Sequence, residues 1–456
     1  MARPRPMLLA GWGNVLQQRA QVYRPEKLSD SRDIVAANAD SATLVARGLG
    51  RSYGDASLND AGAILLNTQL NRFNAFDPAT GVVECEAGAT FEDLIEVFLP
   101  RGYFPPVTPG TKFVTLGGAV AADVHGKNHH RDGSIASFIE SFDLLTAASQ
   151  TLRCSRQENV DAFWATLGGM GLTGIIQSVR LKLRPVETGY VLVDQKKTRN
   201  LDQTLAAFIE ADQDYAYSVA WIDCLAKGTA LGRSVLMRGN HAKAADLPAE
   251  LSHLPLQPPA KRRGRVPFNF PSFALSPFTV RLFNARYYAS HPDGRHISHY
   301  EDYFYPLDSI ESWNRIYGRR GFYQYQAVFP TQDGDRCLRS LMEKLSDAGS
   351  ASFLAVLKTM GPASGGILSF PIPGLTLALD LPNAGASTVQ LLDELDEVVL
   401  KYGGRVYLAK DACMKRESFE RMYPDLPKFK QIKANLDPRN RFSSSLARRL
   451  GIGAAQ

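Results

Sequence analysis

The sequence predicts a two-domain α+β protein, and three observations carry that expectation. The chain has 456 residues, more than one ordinary core accommodates, so two domains are expected. Its apolar runs are short and separated by turn signals, with helix-period segments scattered among them rather than in strict alternation. It also lacks the signature of the doubly wound dinucleotide fold, a G-x-G-x-x-G turn leading from a strand into a helix. Gly48-Leu49-Gly50 is followed instead by Arg51-Ser52-Tyr53, and the next apolar run, Ala63 to Leu66, reads as a strand.

Composition narrows the class further. Hydrophobic residues make up 45% and charged residues 21% of the chain, as in ordinary soluble globular proteins. A net charge of +6 favours anionic ligands slightly. Without basic stripes or base-stacking motifs it argues against nucleic-acid binding. Cys85, Cys154, Cys224, Cys337 and Cys413 are scattered and odd in number, which argues against a disulfide framework or a zinc site. The apolar run Met7 to Ala10 is too short for a signal-peptide core. No segment approaches the roughly 20 apolar residues that span a bilayer. The expected location is cytoplasmic.

Taken in order, residues 1 to about 40 read as a lead-in with Trp12 as a packing anchor. Strand-like runs follow at Thr43 to Val45, Ala63 to Leu66, Val82 to Glu86, Phe138 to Thr146 and Ile175 to Leu183. Thr90 to Leu99 reads as a helix: Thr90 caps it, Asp93 completes the first-turn box, and Phe91, Leu94, Ile95 and Phe98 share one face. After Pro185 the pattern changes. Strands are expected at Tyr217 to Ile222, Tyr323 to Phe329, Phe353 to Leu357 and Leu375 to Leu379, and helices at Leu201 to Ile209, Asp335 to Leu345 and Thr388 to Leu400. Such spacing suits an antiparallel sheet covered on one side by helices. The domains expected are 1–187, 188–404, and a returning segment 405–456 that completes the first. Within the second domain, about 254–278, runs PLQPPAKRRGRVPFNFPSFALSPF, whose prolines predict a loop outside the core. Its Lys261, Arg262, Arg263 and Arg265 beside Phe268, Phe270, Phe273 and Phe278 suit either a solvated mobile loop or a flap touching lipid.

Pro109 to His130, PGTKFVTLGGAVAADVHGKNHH, concentrates the chemistry. Gly117-Gly118, Ala119, Ala121 and Ala122 let a backbone approach a bulky polar ligand. Asp123, His125, Lys127, Asn128, His129 and His130 follow at once. Alone, this would be a glycine turn before a polar loop. A second glycine-rich stretch, Ala46 to Asp55 (ARGLGRSYGD), lies between two strand-like runs. Two such loops in one half of a chain predict a single extended ligand with a charged middle.

These motifs carry a resemblance. G-x-G-x-S followed by P-G-T…G-G-x…D-x-H-G resembles the phosphate-cradling loops of FAD-linked oxidases, the vanillyl-alcohol-oxidase superfamily with its PCMH-type FAD-binding domain. RSYGD together with HGKNHH is similar to the branch of that family acting on polyprenyl-phosphoryl ribose, and the similarity runs nearly the length of the chain. The resemblance implies FAD as cofactor and a separate NAD(P)H-dependent reductase that completes epimerisation to the arabinose donor of bacterial cell walls. Peripheral contact with the inner membrane is implied as well. Oxidising a secondary alcohol removes a proton and a hydride, and no ordinary side chain accepts hydride, so a cofactor is needed.

By resemblance, the FAD contacts are Gly48, Gly50, Arg51, Ser52, Tyr53, Gly54, Asp55, Gly110, Thr115, Leu116, Gly117, Gly118, Ala122, Asp123, His125, Ile176 and Tyr407. Backbone amides of Gly48 to Gly54 and of Thr115 to Gly118 are expected to cradle its pyrophosphate. Many relatives bond FAD through a histidine where this chain has Arg51, so a non-covalent flavin is expected. Lys410, in YLAKD, is the expected cation facing the flavin, with His125 and Tyr53 beside it as catalytic residues. Lys127, Gly126, Gln324, Gln326, Lys358 and Ala378 are expected to meet the substrate. Gln324 and Gln326 alternate along a strand and so share one face. His129 and His130 are expected in loop positions, with no metal site. Ala378, Thr376, Val219 and Phe304 depart from the mycobacterial pattern of Cys, Asn, Ser and Tyr. Those departures leave the exact sugar or lipid open; the alternatives are a soluble alditol or aldonolactone as substrate and, from another class, a flavin-binding scaffold for a reductase without turnover.

Overall fold

In the computed structural model, which describes residues 3–38, 42–349 and 353–453, short β-branched runs pair into three principal sheets. The first has four strands in the order Arg5–Ala10, Gln17–Tyr23, Ala63–Leu66, Leu44–Arg47, antiparallel at the first pairing and parallel at the other two. The second has five, in the order Phe73–Asp77, Val82–Glu86, Ile175–Lys182, Ile139–Leu145, Thr151–Ser155, all antiparallel. The helix Phe91–Phe98 starts as expected: Thr90 Oγ1 accepts from the Asp93 amide at 3.0 Å, and Asp93 Oδ2 accepts from the Thr90 amide at 2.8 Å. This reciprocal cap satisfies two donors that the first helical turn leaves unpaired. Phe91, Leu94, Ile95 and Phe98 are all buried.

The second α+β domain is built on an eight-stranded antiparallel sheet. Its order is Gly294–His299, Tyr190–Thr198, Ser234–His241, Tyr217–Ile222, Ala355–Met360, Gly374–Pro382, Phe322–Pro330, Arg405–Val406. Side chains alternate between its faces. Ala220, Ile222, Tyr325, Ala327, Leu357, Leu377 and Leu379 belong to the core shared with Leu201, Phe208, Leu338, Leu341, Leu392 and Leu395. Those partners lie on the helices Leu201–Ala211, Gly334–Ala348 and Ala386–Lys401. Val219, Gln324, Gln326, Val356, Lys358 and Ala378 project from the other face.

Three details differ from the sequence reading. The strand expected from Phe353 runs instead from Ala355 to Met360, set by its pairing with Gly374–Pro382. The outer strands Tyr190–Thr198, Ser234–His241 and Gly294–His299 are rich in polar residues and give weak period-2 signals. The segment expected as a loop to Phe278 holds a two-residue parallel pairing, Gly264–Arg265 with Ile310–Glu311, and then a helix Pro277–Ser290. Ser276 caps that helix, its Oγ accepting from the Thr279 amide at 3.3 Å, and Pro277 opens it.

The end of the chain returns to the first sheet. Phe442 forms a parallel bridge with Leu44, and the helix Ser445–Arg449 follows. Arg449 pairs with Asp55 at 2.7 Å and with Asp411 at 2.9 Å, both carboxylates being almost fully buried. Arg449→Ala would strand two buried carboxylates, a change that costs about 3 kcal/mol or more. The chemical-denaturation midpoint should therefore fall clearly, and Arg449→Lys should recover only part, since an ammonium lacks the fork that serves both partners. An unchanged midpoint in the alanine variant would show that the triad does not hold the C-terminal segment.

Candidate active site

Both glycine stretches, the cavity-facing side of the large sheet and the returning segment surround one cavity of about 2080 Å³, open solvent at its mouth included. On one side lie Gly48 to Ser52, Pro109 to Thr111, Thr115, Gly117, Gly118, Met170, Gly171, Gly174 and Ile176. On the other lie Tyr53, His125, Gly126, Lys127, Val219, Phe304, Gln324, Gln326, Lys358, Ala378, Tyr407 and Lys410.

The two stretches divide the work differently from expectation. Among the described residues the amides of Leu49, Gly50, Arg51 and Ser52 donate to no other protein group, so the first stretch presents free donors to the cavity. In the second, the Leu116 and Gly117 amides are spent on the carbonyls of Ala89 and Ala87, each at 2.7 Å, and the Gly118 amide faces Thr115 Oγ1. For Leu116, Gly117 and Gly118 the expected cradle of amides is therefore corrected; there the stretch supplies close approach rather than donors. A Cβ on Gly48 would sit 2.1 Å from Thr115 Oγ1, so the stretches pack directly on each other.

Four residues expected in the site do not reach the cavity. Gly54 is crossed by backbone, since a Cβ there would meet Asp411 O at 2.0 Å. Asp55 belongs to the Arg449 triad. Leu116 is core. Asp123, at φ +41°, accepts from Ser364 Oγ and Ser369 Oγ at 2.6 Å and from the Ala136 amide at 3.2 Å. That carboxylate fixes the turn that delivers His125 rather than touching a ligand itself. His129 is likewise structural, its Nδ1 accepting from the Gly361 amide at 3.0 Å. Burial first, then the positive charge of Lys358, hold it neutral with a pKa pushed down to about 3.

The residues that do converge are strongly perturbed. His125 is buried; desolvation, then Lys358, His129 and Lys410, push its pKa well below the usual imidazole range. Gln326 Nε2 lies 2.9 Å from His125 Nε2, so the amide donates and the neutral ring carries its proton on Nδ1, which has no protein partner. Tyr53 lies edge-on to Phe322, and Lys410 Nζ sits 4.2 Å from its ring centroid. Desolvation lowers the Lys410 pKa to about 7 and the Lys358 pKa to about 8. Lys127, also lowered to about 7 by burial, donates to the carbonyls of Tyr303 and Phe304. No carboxylate lies within salt-bridge distance of any of these three lysines among the described residues.

Sequence reading missed Asp380. It is fully buried opposite Gln324 in the strand register, accepts from Gln324 Nε2 at 2.7 Å and from Tyr317 Oη at 3.0 Å, and is raised by burial to about 7. A lone Asp in the apolar run LTLALDLP was the available signal. Asn67 Oδ1 and Thr108 Oγ1, buried and without protein partners beside the cavity, gave no sequence signal. Arg51 is stacked 4.0 Å from the Trp12 ring centroid and donates from Nε to Phe113 O at 3.2 Å.

The residues present fit FAD. Free amides at Leu49 to Ser52 suit a pyrophosphate, and a Cβ built on Gly110 or Gly171 would meet no protein atom. Small residues line the path between the glycine end and the cationic end.

A mixed α+β domain with this cradle, joined to an antiparallel sheet whose polar face closes the cavity, defines an FAD-dependent oxidoreductase of the FAD-linked oxidase class, acting on CH–OH groups. Residues 20–155 match the family described as FAD binding domain, and residues 383–450 match D-arabinono-1,4-lactone oxidase. The chain belongs to the decaprenylphosphoryl-β-D-ribose oxidase family: it is 38% identical over 452 residues to that enzyme of Mycolicibacterium smegmatis, covering 97% of each chain. More distant similarity links it to cytokinin dehydrogenase 3 of Arabidopsis thaliana, 28% identical over 36% of this chain and 32% of that one. L-gulonolactone oxidase of Scyliorhinus torazame is 28% identical over 38% of this chain and 40% of its own.

The lysines carry charge below their pKa and lose it above. Affinity for a phosphorylated sugar, followed by calorimetry, should therefore weaken as pH rises through about 7 and again through about 8. Lys358→Met should remove the upper step. A pH-independent affinity would mean these ammonium groups do not meet the anion.

Proposed function

We propose that this protein oxidises the 2-hydroxyl of a polyprenyl-phosphoryl-β-D-ribose to the 2-keto sugar, using a non-covalently held FAD. The observation that carries this reading is the convergence of Lys127, Lys358 and Lys410, without carboxylate partners, beside Gln324 and Gln326. The desolvated ammonium groups of Lys127 and Lys358, which no carboxylate pairs with among the described residues, suit a phosphoryl group, whereas a neutral polyol or lactone would leave them uncompensated. The family relative acts, by its name, on a lipid-linked ribose phosphate of this kind.

When bound, FAD supplies the acceptor for the hydride leaving the sugar carbon. The chain's residues then divide the remaining tasks. Lys127 and Lys358 hold the phosphoryl oxygens, and Gln324, locked by Asp380, orients the sugar hydroxyls. His125 donates from Nδ1. Lys410, with a pKa near neutrality, takes the hydroxyl proton on Nζ and thereafter offsets negative charge as an ammonium. The stacked Arg51 guanidinium is no nucleophile, which supports a flavin without a covalent link at that position. Acid precipitation should release all the flavin into the supernatant; flavin retained in the pellet would overturn the non-covalent assignment.

A 2-keto product requires a second, hydride-donating enzyme if the sugar is to be epimerised, so a separate NAD(P)H-dependent reductase is the expected partner. The decisive measurement is the absorbance of the holoprotein near about 450 nm, where bound flavins absorb, on anaerobic addition of a polyprenyl-phosphoryl ribose. Bleaching is expected, and Lys410→Ala should slow it by about 100-fold or more. Bleaching by an alditol or aldonolactone but not by the sugar lipid would replace this substrate. An Ala variant as fast as the parent would remove Lys410 from the proton transfer, and a parent that no sugar bleaches would favour a scaffold role.

A further inference from the structure

One ionisable group lies behind the cavity wall rather than in it. Asp380 stands on the strand Gly374–Pro382, two residues after Ala378 and so on the same face of the sheet. It is 0% exposed, and two donors hold it. Gln324, opposite it in the register, donates from Nε2 to Oδ1 at 2.7 Å, and Tyr317 donates from Oη to Oδ2 at 3.0 Å. The Phe322 ring, stacked on Tyr317 at 4.0 Å between centroids and edge-on to Tyr53 at 5.5 Å, ties these groups to the cavity wall.

A buried carboxylate that serves only as an acceptor is destabilising. An uncharged acceptor would meet Gln324 and Tyr317 as well, and taking a lone carboxylate out of water costs more than two hydrogen bonds return. Such a charge is retained where another charge meets it. Lys410 supplies that charge: Asp380 favours its ammonium form, while burial and Lys358 oppose it. Lys410 in turn favours the Asp380 carboxylate against the burial that raises it. Asp411, next to Lys410 in sequence, is turned instead to Arg449 and to the amides of Cys413 and Met414. The remaining neighbours bring no negative charge to Lys410. Lys358 is a cation, His125 is held neutral, and the Tyr53 phenol is pushed up by burial, with Arg51 and Asp308 acting on that phenol.

Both contacts of Asp380 bear on one step. Only the neutral amine of Lys410 has a lone pair for the proton of a sugar hydroxyl, and the ammonium that forms is stabilised by a carboxylate nearby. A carboxylate that favours the ammonium makes Nζ a stronger base, and it lowers the share of neutral amine at a given pH. The hydrogen bond from Gln324 Nε2 fixes the rotation of that amide, and with it the direction of the acceptor Oε1.

We propose that Asp380 is the positioning residue for deprotonation of the substrate hydroxyl: from behind the wall its carboxylate fixes Gln324 by a hydrogen bond and holds Lys410 toward the ammonium by charge. Tyr317 completes the arrangement, because its hydroxyl keeps that carboxylate ionised. The assignment to deprotonation rests on the role proposed above for Lys410; the charge coupling stands on the buried geometry.

The test uses the holoprotein and Asp380→Asn, which keeps the shape and removes the charge. Lys410 lines the cavity, so acylation of its Nζ by acetic anhydride, followed across pH by peptide mass spectrometry, reads its charge with no substrate present. Without the carboxylate only burial and Lys358 act on the ammonium, so the acylation curve should move to lower pH by about one pH unit. In anaerobic flavin reduction by a phosphoryl ribose, the limb on which the rate rises with pH should move by the same amount. The plateau above it should fall by about tenfold, as the base weakens and Gln324 is freed. Tyr317→Phe should move both curves in the same direction by less, and it carries the test if the Asn variant does not hold flavin. A residue that only props the sheet would lower the plateau and the melting temperature and leave both pH curves in place; that result overturns the proposal. It is overturned as well if the acylation curve moves while the reduction limb does not, since the charge would then have no bearing on deprotonation. If the acylation curve moves and no phosphoryl ribose reduces the parent's flavin, the charge coupling stands and the substrate reading fails.

Discussion

Arg449 holds the molecule's most distant segments in one place. Its guanidinium bridges Asp55, the last residue of the first glycine stretch, and Asp411, directly after Lys410. A planar fork can serve two carboxylates at fixed angles, and here it fixes the returning segment against the first loop. The Tyr53 amide donates to Ala409 O at 3.0 Å in the same contact. The face-on approach of Lys410 to the Tyr53 ring follows from it. A site assembled from residues 53, 125, 324, 358 and 410 depends on such closure, because no single element carries two of its cations.

The site itself is built against stability. Three ammonium groups share one desolvated region, and burial disfavours each charged form. Proteins tolerate such arrangements where the gain falls on a ligand instead of on the fold. Asp380 moderates the repulsion. It raises the Lys410 pKa without pairing directly, while its own carboxylate is held by Gln324 and Tyr317. The same hydrogen bonds lock Gln324, so one buried carboxylate sets both the charge of the lysine and the orientation of the amide.

Much of this was legible in the residues. The cap at Thr90, the shared face of Gln324 and Gln326, and the two glycine stretches with HGKNHH between strand-like runs all follow from local rules. Most of what was not legible depends on partners far away in sequence. Asp55 looks like part of a ligand-binding motif until Arg449 arrives from the other end of the chain, and Asp123 until Ser364 and Ser369 do. The spent amides of Leu116 and Gly117 are visible only once Ala87 and Ala89 are placed beside them. The helix Pro277–Ser290 escaped for a different reason. Its aromatic and β-branched residues have middling helix propensity, and its stability comes from Asn284, Tyr287 and Tyr288 docking on the sheet.

The unequal glycine stretches bear on how a long ligand is read. If both loops offered amides, the cavity would hold anionic groups at two points along the glycine end. The amides of Leu49 to Ser52 are free whereas those of Leu116 and Gly117 are spent, so the first stretch, with Arg51, supplies an anion-binding point, and Lys127, Lys358 and Lys410 line the same cavity from other elements. Gly117, Gly118, Ala121 and Ala122 line it as well, adding neither bulk nor charge. Two anionic ligands can then occupy one cavity without competing for the same donors: a dinucleotide pyrophosphate on the amides, and a phosphoryl sugar on the lysines. That separation of donors, rather than any single residue, makes the arrangement suited to a cofactor and a charged substrate meeting in the middle.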